Sequence, residues 1–337
     1  MQICFKNNLM KILYALQGTG NGHLARATEI IPILKQMAET DIVVSGIQGD
    51  IQLPFEVKYK LYGMSFIFGK TGGVDVWATI RKMKLFRFFA DMIKLPVKKY
   101  DLVISDFEPV TAWACKLKNK RCVGLSHQNA VLHKNTPKPG KSDLVGELIL
   151  KYYAPSAIKY GFHFEQLDSF NFPPVIRSEI RNATVSTNNH FTVYLPSYSN
   201  EEIEKILSQV PEINWDVFSK HSQNTYTAGN IHFQPVSAEA FKQSFVSCSG
   251  ILCNAGFETP AEALFMGKKL CVIPMKNQYE QACNAAFMAR FGIPVLTHLH
   301  ESTEKIKYWA TNSNCFSIRY PDLTAQILEK IILRNNI

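Results

Sequence analysis

Twice along this chain, short apolar runs of strand length alternate with segments long enough for a helix. That alternation points to a pair of α/β units built on parallel sheets. The first series opens with KILYAL (11–16), a glycine-rich turn, and a helix over about 24–38 with apolar residues at helical spacing. DIVVSG (41–46), DLVISD (101–106) and RCVGLS (121–126) follow as strands. The second series runs FTVYLP (191–196), a helix over about 200–207, NWDVFS (214–219), NIHFQP (230–235), SGILCN (249–254), a helix from 257, KLCVIP (269–274) and a helix over about 279–291. Between the two, 171–190 is rich in Pro, Asn, Ser and Thr and has no periodicity, which places the interdomain linker near its end. The expected organisation is a Rossmann-like domain over 1–188, with 1–9 as an upstream extension, a second over 189–320, and a closing helix over 321–337 that packs back on the first. Two such halves face each other across a cleft, with ligands at the carboxyl ends of the strands.

At 337 residues the chain exceeds what one core usually serves, and 46% hydrophobic with 19% charged residues is ordinary globular composition. No run of eighteen apolar residues is present, and the first ten residues carry no signal-peptide pattern. The eight cysteines form no Cys-x-x-Cys pair. Scattered thiols of this kind suit a reducing compartment and indicate neither a zinc site nor a disulfide framework, so the expectation is a cytoplasmic protein.

The formal net charge of +9 sits entirely in the first half. Residues 1–188 hold 25 Lys/Arg against 15 Asp/Glu, while 189–337 hold 12 against 13. A basic half implies an anionic partner or ordinary solvated lysines. The charges cluster in IRKMKLFRFFADMIKLPVKK (80–99), where Lys84, Arg87, Asp91 and Lys94 share one helical face and apolar residues occupy nearly all the rest; one side can pack on the domain while Phe88, Leu85, Met92 and Leu95 remain to be covered. This reads as a peripheral contact with anionic lipid or as a core helix with a basic rim. No nucleic-acid-binding motif accompanies it.

Gln17-Gly18-Thr19-Gly20-Asn21-Gly22-His23 follows the first strand and opens a helix. A dinucleotide fingerprint would need a third glycine where His23 stands. The alternative is a sharp turn that delivers His23 to the cleft beside the positive end of a helix, where its imidazole stays neutral and can act as a base.

Residues 253–285 carry a second signature. A strand ends at Asn254, Gly256 permits close approach, and Thr259 stands in the first turn of the next helix. The free N–H groups there form an anion site. Glu262, one turn on, suits the paired hydroxyls of a ribose, and Glu280-Gln281 opens the following helix where sugar hydroxyls would lie. Each residue alone reads equally as a solvated helix charge or a plain helix-start residue; the spacing gives the set its meaning.

This stretch resembles the donor-binding signature of GT-B glycosyltransferases, both UDP-glycosyltransferases and the MurG-like family that adds N-acetylglucosamine to a lipid-linked precursor. Gly256, Thr259, Glu262, Gly267, Pro274, Glu280, Gln281, Asn284 and Ala285 match its pattern. The glycine turn with Arg26-Ala27, and Tyr-Leu-Pro-Ser at 194–197, resemble a bacterial and archaeal branch of the same transferases. Asn254 stands where many relatives have a phosphate-binding histidine, and Glu258 replaces an uncharged residue. The resemblance implies an inverting, metal-independent hexosyltransferase that uses no cofactor and takes its sugar from a UDP-linked donor. The implied acceptor is a hydroxyl on a lipid-linked or cell-envelope glycan precursor. It implies His23 as base and Asp106, ending DLVISD, as its orienter, although Asp106 also reads as a strand-end cap. Implied donor contacts are Gly20, Gly22, Ser197, Phe233, Asn254, Gly256, Thr259, Glu262, Glu280 and Gln281. Glu108 and His127 are candidates for contact with acceptor or base. A UDP-sugar epimerase of the same fold and an inactive sugar-nucleotide-binding protein are the rival readings.

Overall fold

The computed structural model describes residues 4–5, 8–46, 53–64, 84–140, 143–300 and 302–335. Cys4–Phe5 and Asn8–Leu9 pair as a small antiparallel ribbon ahead of the first domain. That domain is a seven-stranded sheet of β1 (Lys11–Gln17), β2 (Glu39–Ser45), β3 (Tyr59–Leu61), β4 (Leu102–Asp106), β5 (Val123–Leu125), β6 (Ile158–Phe162) and β7 (Asn171–Phe172). Its strands lie in the order β3-β2-β1-β4-β5-β6-β7, and every neighbouring pair is parallel. The helices of this half are α1 (Asn21–Met37), α2 (Leu85–Lys94), α3 (Pro109–Leu117), α4 (His127–Val131), α5 (Leu144–Tyr152) and α6 (Ser178–Arg181).

The second sheet contains β8 (Phe191–Tyr194), β9 (Trp215–Ser219), β10 (Tyr226–Ala228), β11 (Ile231–Pro235), β12 (Gly250–Asn254) and β13 (Lys269–Ile273), ordered β10-β11-β9-β8-β12-β13. Only the edge pair β10–β11 is antiparallel. Its helices are α7 (Asn200–Leu207), α8 (Ala238–Ser247), α9 (Glu258–Met266), α10 (Tyr279–Arg290) and α11 (Thr303–Asn312); α12 (Thr324–Asn335) closes the described chain. This is a two-domain Rossmann-like α/β fold. Both sheets reverse their strand order next to their first strand, between β1 and β4 and between β8 and β12. Such switch points open a crevice at the carboxyl ends of the strands.

The apolar runs become central strands because both faces of each sheet are covered. Ile12 through Leu16 are fully buried, as are Ile251 and Leu252. Helix ends follow local chemistry. Ser199 and Glu202 form a reciprocal capping box at α7, and α9 stops at Gly267, whose φ of 69° is left-handed. The short strands β3, β6, β7 and β10 fall outside the sequence expectation. They hold two to five residues each, mix polar with apolar side chains, and exist through pairing with the strands beside them.

The halves meet through an aromatic cluster. Phe164 of the first packs at 4.9 Å between ring centroids on both Phe257 and Phe287 of the second. The helix α12 crosses back to the first half, where the Asn335 amide donates to the Tyr160 hydroxyl at 3.2 Å and Lys330 Nζ donates to the Ser169 carbonyl at 3.1 Å.

Helix α2 lies differently from its sequence projection. Phe88, Met92 and Leu95 are buried against the first domain, whereas Leu85, Phe86, Phe89 and Ile93 face outward, Phe86 at 95% exposure. Residues 80–83 of the basic segment lie outside the described residues.

Candidate active site

A cavity of about 700 Å³ lies between the two switch points, lined from one side by Gly20, Gly22 and His23 and from the other by Gly256, Thr259 and Glu280. The glycine turn makes the first wall. A Cβ at Gly18 would meet Val44 Cγ1 at 2.8 Å, and Gly20 adopts φ 88°. Only glycine accepts both constraints without strain. Helix α1 then starts at Asn21 with no side-chain cap from Gly20.

His23 projects from that first turn to meet the end of β4. Its Nδ1 lies 2.9 Å from Asp106 Oδ1. A carboxylate facing Nδ1 favours the tautomer with the proton there, leaving Nε2 unprotonated. Asp106 is completely buried and also receives Arg26, whose Nε donates to Oδ2 at 3.0 Å and Nη2 to Oδ1 at 2.7 Å. Burial alone would raise the Asp106 carboxyl; the Arg26 guanidinium, with His23 behind it, overrides this and holds it at about 2. Asp106 is therefore an anion across the physiological range. Phe107, next in the chain, has a left-handed φ of 56° and stacks on Tyr153 at 4.8 Å. A non-glycine residue held in that region stores strain, and here it turns an aromatic ring into the cavity wall.

The second wall is the start of α9. No side chain caps it, and Gly256, Glu258 and Thr259 line the cavity. The amides there form an anion site. Asn254 also lines the cavity, but its amide is committed: Oδ1 accepts from Ser197 at 3.2 Å and Nδ2 donates to the Ile273 carbonyl at 2.8 Å. Glu262 is gripped through both oxygens by Arg177, at 2.7 Å each. A carboxylate oxygen keeps a further lone pair beyond each such bond, so a ribose hydroxyl can still bind. Glu280 Oε2 accepts from Gln128 Nε2 at 2.8 Å, and the same Nε2 lies 3.4 Å from His23 Nε2. Burial pushes the Glu280 carboxyl upward, with His23 acting against it. Gln281 anchors its turn by accepting from Met275 N at 3.0 Å.

Four expected contacts have other duties. Ser197 is buried beneath Asn254, and Phe233 packs on Tyr226 at 4.9 Å inside the second domain; neither lines the cavity. Phe233 points inward because strand β11 alternates and that face is the core. Glu108 caps helix α3, accepting from Val110 N and Thr111 N at 2.7 Å each, and is fully buried away from the cavity. His127 does reach the cavity wall but bridges the domains: Nδ1 faces the Phe162 carbonyl and Nε2 the Asn284 amide, each at 2.8 Å, while its ring lies parallel to Phe257 at 3.9 Å. Burial pushes its imidazole down to about 4.

Sequence reading gave no role to Phe107, Gln128 or Arg177, and named Arg26 only as part of a resemblance. Arg26 was accessible through its spacing, three residues beyond His23 on one helix face. The other three depend on contacts across the cleft or on a strained backbone.

The glycosyl transferase family 1 model matches residues 10–312 of this chain. The chain belongs to that family. It is a glycosyltransferase with the GT-B fold, and solved structures agree on the architecture. MurG of Acinetobacter baumannii is 13% identical, with 96% of this chain and 99% of that one aligned at a TM-score of 0.56. Phytolacca americana UGT2, complexed with UDP-2fluoro-glucose and pterostilbene, is 13% identical, with 97% and 100% aligned at 0.58. A Polygonum tinctorium UDP-glucosyltransferase is 13% identical, with 97% and 99% aligned at 0.59. At such identities the likeness is one of fold. No curated protein matches this glycosyltransferase in sequence.

Proposed function

We propose that this glycosyltransferase moves a sugar from a UDP-linked donor to a hydroxyl acceptor, with inversion at the anomeric carbon and without a metal ion. The observation that carries the reading is that the imidazole of His23 and the uncapped start of α9 open onto the same cavity. The diphosphate rests on the α9 amides near Thr259, Glu262 takes the ribose, and Glu280 with Gln281 takes the sugar hydroxyls. His23 Nε2 accepts the proton of the acceptor hydroxyl, and its oxygen attacks the anomeric carbon opposite the diphosphate. The carbon–oxygen bond to UDP breaks, and the imidazolium formed is stabilised by ionised Asp106. The amides and dipole of α9 offset the charge left on the UDP leaving group. The UDP assignment is supported by the UDP-2fluoro-glucose in complex with the Phytolacca enzyme.

The acceptor side is apolar. Helix α5 offers Ile149 and Leu150 to the cavity, while Leu144, Val145 and Leu148 on it remain exposed. With the outward Phe86, Phe89 and Ile93 of α2 beside Lys84, Arg87 and Lys94, this supports docking on an anionic bilayer that carries a lipid-linked acceptor. Among the described residues no helix is long and apolar enough to cross a membrane.

The test is a panel of UDP-sugars and other nucleotide diphosphates ranked by thermal shift, followed by UDP release with and without acceptor lipid extract. Stabilisation by UDP-sugars and acceptor-dependent release are expected. Interconversion of the donor without acceptor would instead reveal an epimerase.

A further inference from the structure

Glu258 is the first residue of α9, yet its carboxylate does not face solvent beside the helix start. It crosses the cleft and pairs through Oε1 with Nη1 of Arg26. Gly22 leaves room for this crossing: a Cβ there would press on the Glu258 carboxylate, and that side chain would have to shift. Arg26, 2% exposed, offers its remaining donors to Asp106, and its Nη2 also lies 3.0 Å from His23 Nδ1. The four side chains thus form one continuous chain, Glu258–Arg26–Asp106–His23, whose last three members belong to the first domain and whose first belongs to the second.

The charges explain what the fourth member adds. A carboxylate helps a histidine base by stabilising the imidazolium it becomes. Asp106 alone would do so, but Arg26 binds it bidentately and cancels its charge. Of the other groups facing His23, Phe107 is apolar and Gln128 neutral, and Glu280 stands behind Gln128. Glu258 offsets Arg26 in turn, so the set Asp106, Arg26 and Glu258 carries a net negative charge beside the ring. The same pairing holds the Glu258 carboxylate away from the diphosphate expected at the α9 amides, which it would otherwise repel.

We propose that Glu258 is a positioning residue for the base, reaching across the cleft to set the proton affinity of His23 through Arg26 and Asp106. Base strength is then tied to domain contact: when the second domain swings away, Arg26 neutralises Asp106 unopposed and His23 becomes a weaker base. This rests on the reading of His23 as the base.

The experiment compares Glu258→Gln and Glu258→Ala with the parent protein by the pH profile of kcat at saturating UDP-sugar, alongside donor Kd by calorimetry. Both variants remove the charge, so both are expected to shift the acid limb of the profile to lower pH. Both should also lower the plateau roughly five-fold, with donor Kd changed by less than about two-fold. An unmoved acid limb overturns the proposal, whatever the plateau does. A tighter donor Kd with the plateau intact also overturns it, making Glu258 a stand-in anion that the diphosphate displaces. His23→Ala, run in the same assay, separates the two levels. Retained turnover there removes the base and this proposal together, whereas a dead His23→Ala beside an unaltered Glu258→Gln removes only the role of Glu258.

Discussion

His23 Nδ1 stands 2.9 Å from Asp106 Oδ1, and Arg26 holds both oxygens of that same carboxylate, its Nη2 sharing Oδ1 with the imidazole. A base so oriented is expected to account for about 10²- to 10⁴-fold of the rate. His23→Ala should therefore lower kcat by that factor while leaving donor Kd, measured by calorimetry, nearly unchanged. Turnover within a few-fold of the parent would remove the assignment. Asp106→Asn should lower kcat too, and it should also lower the melting temperature. The reason is that withdrawing one partner of a buried ion pair costs roughly 3–5 kcal/mol, tempered here by Glu258, which still faces Arg26.

Arg177 binds both oxygens of Glu262 at 2.7 Å, which fixes the carboxylate at the cavity wall before any ligand arrives. If the donor ribose uses that carboxylate, Glu262→Gln exchanges charged hydrogen bonds for neutral ones. Donor KM should rise about ten-fold with kcat little altered, the pattern of lost uniform binding. Arg177→Met should act in the same direction by releasing Glu262 from its fixed position. A fall in kcat with donor KM unchanged would argue that Glu262 serves the chemistry and not the ribose.

The proposed reaction assigns leaving-group stabilisation to the start of α9 and not to a cation. Activity should survive exhaustive treatment with EDTA and show no gain from added Mg²⁺ or Mn²⁺. Loss of turnover on chelation, restored by one of these ions, would refute metal independence. Substituting Thr259 by Val tests the same site from the protein side, since it keeps the shape and removes the hydroxyl. A decline in kcat of about ten-fold is expected if that hydroxyl donates to the developing charge.

Much of the fold was legible because buried parallel strands are written as uninterrupted apolar runs. KILYAL and SGILCN needed no context to be recognised. The two walls of the site were legible for a related reason, since a glycine turn and an uncapped helix start are local features of sequence. What escaped was everything decided across the cleft. Gln128 gains meaning only beside Glu280 and His23, and Arg177 only beside Glu262, partners 85 or more residues away. Glu108 misled because a carboxylate just past a strand reads the same whether it faces a ligand or caps the next helix. Helix α2 shows the limit of projection: the amphipathic pattern was visible, but of the four residues expected to stay uncovered only Leu85 does, while Phe88, Met92 and Leu95 pack inward.

The outward apolar residues of α2 give the membrane proposal its own test. Replacing Phe86, Phe89 and Ile93 together by Ser leaves the buried Phe88 and Met92 in place, so the fold should persist. Co-sedimentation with vesicles containing anionic lipid should fall by at least about ten-fold, because each buried aromatic or aliphatic side chain contributes roughly 1.5–3 kcal/mol. Binding to neutral vesicles should be weak for both proteins. Equal sedimentation of the parent with anionic and neutral vesicles would dismiss the electrostatic part of the proposal.

His163 supplies a stability prediction independent of catalysis. Its side chain is fully buried between Phe164 and Phe287, and its Nε2 has no hydrogen-bond partner among the described residues. Burial pushes the imidazole down to about 3, with the neighbouring His127 adding to the effect. In the unfolded chain the same group titrates near 6.5. Between those two pH values the unfolded state binds a proton that the folded state does not. Stability is therefore complete above about pH 6.5 and is lost as pH falls, by up to about 1.4 kcal/mol per pH unit. His163→Leu removes this proton uptake. Urea unfolding at pH 7 and pH 5 should show a smaller loss of stability in the variant than in the parent. A residual slope will remain, because His127, pushed down to about 4, titrates in the same sense. If the pH 7 to pH 5 difference were identical in the two proteins, the imidazole of His163 would have to reach a proton in the folded state after all, and the apolar enclosure drawn around it would be wrong.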